Sequence, residues 1–224
     1  THNLETGVKR EILVDVEKMG NYKWATDESF LVYSVREDGT GADAIMRQIL
    51  GMQDRQPQLR NRSFLYKVDV STGAITRLTH GHLTTSLHDI SPDGKHLIFS
   101  QTRPDYLERP YSKTSLMRMN LNDYSVDTLF ADMRWGVSIS YSPDGKYLLA
   151  TGGPSAFGSL GENIQPGSIA NNYDTQAYLI ELKTLQVKSI TLNFDPSVSS
   201  VRWHAQSGDV FILAVDEDRQ QIYR

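Results

Sequence analysis

Short apolar runs alternate with polar turn sequences along the chain, the pattern of strands and hairpins rather than of helices. Around Ser91-Pro92-Asp93-Gly94-Lys95 the entering run is Leu87-His88-Asp89-Ile90 and the leaving run is His96-Leu97-Ile98-Phe99. The pentapeptide returns letter for letter as Ser142-Pro143-Asp144-Gly145-Lys146, between Val137-Ser138-Ile139-Ser140-Tyr141 and Tyr147-Leu148-Leu149-Ala150. Pro presets φ for the first corner of a type I turn, Asp hydrogen-bonds the nearby backbone, and Gly takes the left-handed position that closes a bulged hairpin. Each copy predicts a β-hairpin. Degenerate copies stand at Trp24 to Val32 and at Trp203 to Phe211.

A second turn signal recurs out of phase with the first, at Leu4-Glu5-Thr6-Gly7, Val70-Ser71-Thr72-Gly73, Leu121-Asn122-Asp123-Tyr124 and Leu182-Lys183-Thr184-Leu185. The spacing between the two signals decides the architecture. From this outer turn to the next inner turn the chain runs 18 residues from Gly7 to Ala25, 18 from Gly73 to Ser91, 18 from Tyr124 to Ser142 and 19 from Leu185 to His204. From inner to outer turn it runs 48 residues from Ala25 to Gly73, 33 from Ser91 to Tyr124 and 43 from Ser142 to Leu185. One link is fixed and the other absorbs every insertion.

Four strands per repeat with a constant offset across the repeat boundary predict an all-β fold, a β-propeller segment of about four four-stranded antiparallel blades. A sandwich gives no reason for a constant 18-residue offset. Blades are expected at 18–79, 84–130 and 134–192, with an incomplete blade at 197–224 and an outer strand of a preceding blade within 1–14. Both ends then fall inside a blade. Either the chain is part of a larger propeller, the account favoured here because four blades strain the packing, or its N-terminal strand completes the last blade and closes a small ring. Cut blade faces leave apolar surface, so self-association through them is expected.

Three inserted loops join the second and third strands of their repeats, and loops on a rigid scaffold are where binding groups are sought. The first, Glu37 to Arg62, contains Ala42 to Leu50, whose apolar positions Ile45, Met46, Ile49 and Leu50 suit one short helix. Arg55, Arg60 and Arg62 follow, suited to a bound carboxylate or an acidic partner surface, or to solvated charge and local ion pairs. The second, Arg103 to Lys113, carries Tyr106, Glu108, Pro110 and Tyr111. Its rings make a stiff aromatic arm for packing on a neighbour, and Glu108 is a carboxylate for a substrate amine or one standing idle at the rim. The third, Gly152 to Tyr173, is rich in Gly, Ser, Asn and Pro and reads as a surface loop. Its Gly153-Pro154-Ser155-Ala156-Phe157 fails the Gly-x-Ser-x-Gly test of a nucleophile elbow, because Phe157 holds the last position.

Composition narrows the function classes. A net charge of -4 offers no basic excess for nucleic acid or for an anionic membrane surface. No apolar run approaches the roughly 20 residues that span a bilayer. With no cysteine there is no disulfide and no thiolate site, which suits a reducing cytoplasm and an oxidising periplasm equally. No phosphate-binding loop, zinc motif or calcium loop is present, so neither cofactor nor metal is expected. His80 and His82 flank Gly81 without a third ligand near in sequence, and Trp24, Trp135 and Trp203 read as filling between blades.

The inner hairpin Ile90 to Ser100 and the outer strands Phe64 to Thr79 resemble the propellers of the TolB-like and prolyl oligopeptidase superfamilies. The resemblance extends by period over nearly the whole chain. The long insertions, Glu37 to Arg62 above all, are more similar to the peptidase branch, where the propeller covers an α/β-hydrolase domain and filters or anchors peptide substrates. That family's Ser, Asp and His lie in the hydrolase domain, which no stretch here matches, and no Glu-Glu amine anchor of the dipeptidyl-peptidase-IV-like branch is present. The resemblance therefore implies a non-catalytic propeller segment of an exported, periplasmic or secreted serine peptidase. Its partners would be a peptide substrate and the hydrolase domain of the parent chain. A TolB-like propeller binding protein partners is the alternative, and a glycan-binding or lyase propeller a third.

Overall fold

The computed structural model describes residues 5–39, 60–165 and 167–224. Residues 40–59 of the first inserted loop, with Arg55 and the helix expected at 42–50, lie outside them. Fifteen strands form four antiparallel sheets among the described residues. The first holds β1 (Met19–Trp24), β2 (Phe30–Glu37), β3 (Arg62–Asp69) and β4 (Ile75–Arg77) in that order. The second holds β5 (Thr84–Ile90), β6 (His96–Pro104), β7 (Ser112–Asn120) and β8 (Val126–Met133). The third holds β9 (Ser138–Tyr141), β10 (Tyr147–Gly152), β11 (Gln176–Glu181) and β12 (Val187–Ser189), and the last β13 (Ser197–Trp203), β14 (Val210–Asp216) and β15 (Arg219–Tyr223). Each sheet is a meander whose strands pair in chain order, the unit of a propeller blade. Residues 5–14, where an outer strand is expected, hold a turn and a single bridge residue, Lys9, in place of a strand.

The repeated turns are built alike to the atom. The Ser91 amide donates to the His96 carbonyl at 2.8 Å and the Ser142 amide to the Tyr147 carbonyl at 2.9 Å. Each serine hydroxyl donates to the turn aspartate, Asp93 or Asp144, and accepts the amide of His96 or Tyr147 at 2.8 and 2.9 Å. Gly94 and Gly145 sit at φ +69° and +70°, the left-handed corner the sequence calls for. Ala25 and His204 open the degenerate copies with the same amide bond, to Phe30 and Asp209. The outer turns close similarly, and their corner residues Gly73, Tyr124 and Leu185 all have positive φ. In the first three sheets a backbone bond ties the residue opening the outer turn to the inner turn: Val70 to Ser29, Leu121 to Lys95 and Leu182 to Lys146.

The chain divides into two compact units, residues 1–87 and 88–224, with the division inside β5. In the first, Leu31, Tyr33 and Val68 make a small core, to which Ile12, Leu13 and Val16 of the N-terminal segment contribute, and Tyr33 stacks on Tyr66 at 5.7 Å. In the second, one continuous core joins Ile98, Leu116 and Leu129 to Ile139, Leu148, Tyr178 and Ile180. Consecutive residues of a strand point to opposite faces, so Leu148 and Leu149, at 0% and 1% exposure, show that both faces of the β9–β12 sheet are covered. Face-to-face stacking of successive meanders explains why β10 reads as a continuous apolar run rather than an alternating one.

Candidate substrate and partner groove

Strand registers bring the loops between second and third strands to one end of their sheets. In unit 2, β6 and β7 pair from His96–Asn120 to Pro104–Ser112, leaving Asp105 to Tyr111 as a compact loop. The Asp105 amide donates to the Tyr111 carbonyl at 2.9 Å and the Tyr111 amide to the Glu108 carbonyl at 2.7 Å. The Arg109–Pro110 peptide is cis, and Tyr111 has φ +67°. This closure pushes the apolar side chains outward: Leu107 is 97% exposed, Tyr106 54% and Tyr111 46%.

Glu108 is committed to neighbours. Its carboxylate meets Lys113 Nζ at 2.6 Å and an Arg134 guanidinium nitrogen at 3.4 Å, while Arg134 Nε donates to the Arg109 carbonyl at 2.7 Å. Lys113 first and Arg134 second hold the Glu108 carboxyl below its usual range. A substrate ammonium would have to displace two cations, which makes Glu108 a brace for the arm rather than an open amine anchor. Arg103, paired with Asp132 at 2.9 Å, ties the same arm to the end of β8.

The third loop is packed, not loose. Tyr178, fully buried on β11, donates its hydroxyl to the Gly153 carbonyl at 2.8 Å and faces the Pro154 carbonyl at 3.1 Å. Burial first, then Glu162 and Asp174, push its pKa up to about 12. Phe157 stands edge-on to both Phe130 and Tyr178, with centroids 5.3 and 5.0 Å away. Gly161 passes so close that a Cβ there would lie 2.8 Å from the Pro154 carbonyl oxygen and closer still to the Tyr178 hydroxyl. Ser155 donates to Glu162 at 2.7 Å. The loop therefore runs down one wall of a cavity of about 740 Å³. Its other walls are Phe130 to Arg134 and the outer residues Leu185 and Val187. Arg134 borders this cavity and also holds the aromatic arm, so one side chain links the arm to the cavity wall.

The remaining sequence-predicted residues lie in unit 1. Arg62 Nε donates to the His82 carbonyl at 2.7 Å and another of its nitrogens to the Asn61 carbonyl at 2.8 Å, so its guanidinium fastens the base of the first loop. Arg60 stands beside it, half-buried, with its Cβ against Gly39. Below them Arg77 pairs with Glu37 at 2.9 Å and lies over the Phe64 ring at 4.3 Å. Among the described residues no cluster of three or more His, Asp and Glu side chains could hold a metal.

Sequence reasoning missed Arg134, Phe130, Phe157 and Glu162 as groove residues. The signal for Phe157 is the pair Gly152-Gly153, which lets the chain turn in against β11; the others, short of a fold, have none.

No protein-family model matches the sequence, and no curated protein sequence matches it. Solved structures do. The chain superposes on an acylaminoacyl peptidase from Pyrococcus horikoshii with a TM-score of 0.65 at 15% identity, covering 99% of this chain and 33% of that one. For an acylaminoacyl peptidase in complex with Z-Gly-Gly-Phe-chloromethyl ketone the TM-score is 0.67 at 14% identity, over 99% of this chain and 32% of the other. For TolB from Acinetobacter baumannii it is 0.54 at 17% identity, over 94% of this chain and 44% of TolB. The chain thus spans about a third of the peptidases' length and under half of TolB's. At such identities the shared feature is the fold, a TolB-like β-propeller.

Proposed function

We propose that this chain is a non-catalytic segment of a propeller that gates or docks peptide substrate for the hydrolase domain of an exported serine peptidase. The observation that carries the reading is the groove of unit 2, where Tyr106, Leu107 and Tyr111 stand exposed beside a cavity of about 740 Å³, held there by Glu108, Lys113 and Arg134. Exposed aromatic and aliphatic side chains on a braced loop are what a partner domain or a peptide covers. The likeness to two peptidase structures over 99% of the chain supports the same reading. A TolB-type segment binding proteins is the second reading, favoured by the likeness to TolB over 94% of the chain.

Acyl transfer needs a nucleophile beside a base and oxyanion donors, and the segment itself would contribute none. The test is made on the full-length gene product. A Gly-x-Ser-x-Gly within a few hundred residues downstream, and peptide hydrolysis whose preference for short over long peptides relaxes in Leu107→Ser and Tyr111→Ala, are expected. No such motif and no hydrolysis, with a protein partner retained by the same surface, would replace the peptidase reading with the TolB-type one.

A further inference from the structure

At the opposite end of unit 2 from the loops, the two identical pentapeptides face one another across a second cavity, of about 520 Å³. Ser91, Pro92, Asp93 and His96 form one wall; Gly145, Lys146 and Tyr147, then Leu182 and Lys183, form the other. Arg118 on β7 and Tyr141 at the end of β9 line the space between. The Tyr141 side chain is 7% exposed, and its hydroxyl is buried with no hydrogen-bond partner; Arg118 Nε is buried and unpartnered too. A buried unsatisfied donor costs about 1–3 kcal/mol, and two on residues that line one cavity ask for an acceptor.

The carboxylates already there bond within their own turns and reach neither the Tyr141 hydroxyl nor Arg118 Nε. Asp93 Oδ1 receives the Ser91 hydroxyl and the Lys95 amide, and Asp144 Oδ1 receives the Ser142 hydroxyl and the Lys146 amide. Glu181, also lining the cavity, accepts the Thr184 hydroxyl. Their turns hold Asp93 and Asp144 ionised, with carboxyls below the usual range through the serine hydroxyls first. Arg118 keeps one guanidinium nitrogen on Asp127 at 2.9 Å, which fixes the orientation of the rest of the fork.

We infer that this cavity between the repeated turns is a binding site for a carboxylate carried on an apolar body, taken by Tyr141 and Arg118. The volume falls in the range of small-ligand pockets. A hydroxyl and a guanidinium N–H suit the two oxygens of a carboxylate, and Pro92, Tyr147 and Leu182 offer apolar wall to what it is attached to. Free aromatic acids and the C-terminus of a peptide share this chemistry. The site is separate from the groove of the proposed function and does not depend on it.

Titration of the 224-residue chain with N-acetyl-phenylalanine, its methylamide, phenylacetate and a Gly-Gly-Phe acid, followed by calorimetry and amide chemical shifts, tests this. The acids are expected to bind at least tenfold tighter than the methylamide and to shift amides of Asp93 to His96 and Asp144 to Tyr147. Phenylacetate binding without the tripeptide acid would mark a free acid as the ligand; the tripeptide acid binding tighter would mark a peptide terminus. Tyr141→Phe and Arg118→Lys should each weaken binding at least tenfold, while Lys188→Ala, at an exposed position that does not line the cavity, stays within about twofold. The acid and methylamide comparison on the unaltered chain needs no variant to fold. Equal binding of the two, no binding of any acid at millimolar concentration, or full binding by Tyr141→Phe would overturn the site and leave a cavity holding only solvent.

Discussion

The Asp89 carboxylate accepts the backbone amide of Tyr141 at 2.9 Å, a bond spanning 52 residues between the first strands of successive sheets. Sheets that stack through apolar contact alone are free to slide; a directional bond from β5 to β9 holds their register. Ser140 holds the corresponding position two residues before the next inner turn, with a shorter side chain. Asp89→Ala should destabilise unit 2 by about 1.5 kcal/mol, the usual worth of a hydrogen bond to a charged group. Asp89→Asn, which keeps an acceptor oxygen, should cost less than half of that. Urea unfolding followed by fluorescence separates the two, and equal losses would show that charge, not the bond, is what β9 requires.

The left-handed corners give a paired prediction. Gly145 sits at φ +70° with only Pro92 Cδ near a built Cβ, at 3.6 Å, so Gly145→Ala meets backbone strain and no clash. The left-handed region costs an L-residue roughly 1–2 kcal/mol, offset in part by about 0.5–1 kcal/mol of unfolded-chain entropy. A net loss of about 1 kcal/mol is expected. Glu28 occupies the same corner of the first sheet at φ +59°. Glu28→Gly should therefore leave stability unchanged or raise it by about 0.5 kcal/mol, and Glu28→Val should lower it. Melting temperatures of the three variants check the argument, and a destabilising Glu28→Gly would contradict it.

The turns were legible because their chemistry is local. Ser91 to Lys95 carries its corner, its donor and its acceptor within five residues, and the counted positions Gly7, Gly73, Tyr124 and Leu185 are the very corners with positive φ. What depends on a distant partner was not legible. In the sequence Arg62 suits a bound carboxylate or a local ion pair, whereas its guanidinium fastens carbonyls, one of them 20 residues away. Outer strands end differently for a similar reason. The Thr79 hydroxyl accepts the Leu65 amide and the Thr191 hydroxyl the Ala177 amide, both at 2.8 Å, closing β4 and β12. Phe130, six residues past the corner Tyr124 as Thr79 and Thr191 are past Gly73 and Leu185, has no hydroxyl, and β8 runs on to Met133. Glycine and serine mark the third loop only as a surface loop; here Gly161 is needed for close approach to Tyr178. At 8–14 an apolar run predicted a strand, and three of its neighbourhood's side chains, Ile12, Leu13 and Val16, are instead spent covering the first sheet.

Acid stability follows from the turn aspartates. Asp69 accepts the Ser71 hydroxyl and the Thr72 amide and hydroxyl, which lower its carboxyl to about 2. Asp27, Asp93, Asp123, Asp144 and Asp209 are lowered too, in each case through a serine hydroxyl first. A carboxyl lowered on folding contributes stability that is present above its unfolded value, about 3.9, and lost as pH falls through the folded one. The urea midpoint should hold from pH 7 to about 5 and fall steadily between about pH 4 and 2. Tyrosines act at the other end. Tyr178, raised to about 12, contributes stability that is whole below about 10 and lost as pH rises towards 12. Asp69→Asn should flatten part of the acid limb without moving the alkaline one; a midpoint insensitive to pH between 4 and 2 would mean that the turns hold in the unfolded chain as well.

The groove wall offers the most direct link between packing and function. Tyr178 is fully buried, and its hydroxyl is the donor that pins the Gly153 carbonyl, and with it the loop carrying Ser155, Phe157 and Glu162. Removing that hydroxyl leaves a buried carbonyl without its donor at a cost of about 1–3 kcal/mol, while the ring of Phe would keep its contact with Phe157. Tyr178→Phe should lower stability by about 2 kcal/mol and raise amide exchange from 153 to 161 without altering exchange in β10. Gly161→Ala should act on the same loop by the opposite means, since its Cβ would press on the Pro154 carbonyl oxygen at 2.8 Å and force the wall outward. Both variants change the cavity, yet the aromatic arm, held by Glu108, Lys113 and Arg134, is left in place. In the full-length protein a partner surface that needs only the arm would be retained by both variants, whereas a peptide seated against Phe157 would bind less tightly to each. Competition binding with a labelled peptide, measured beside partner retention, distinguishes the two uses of the groove.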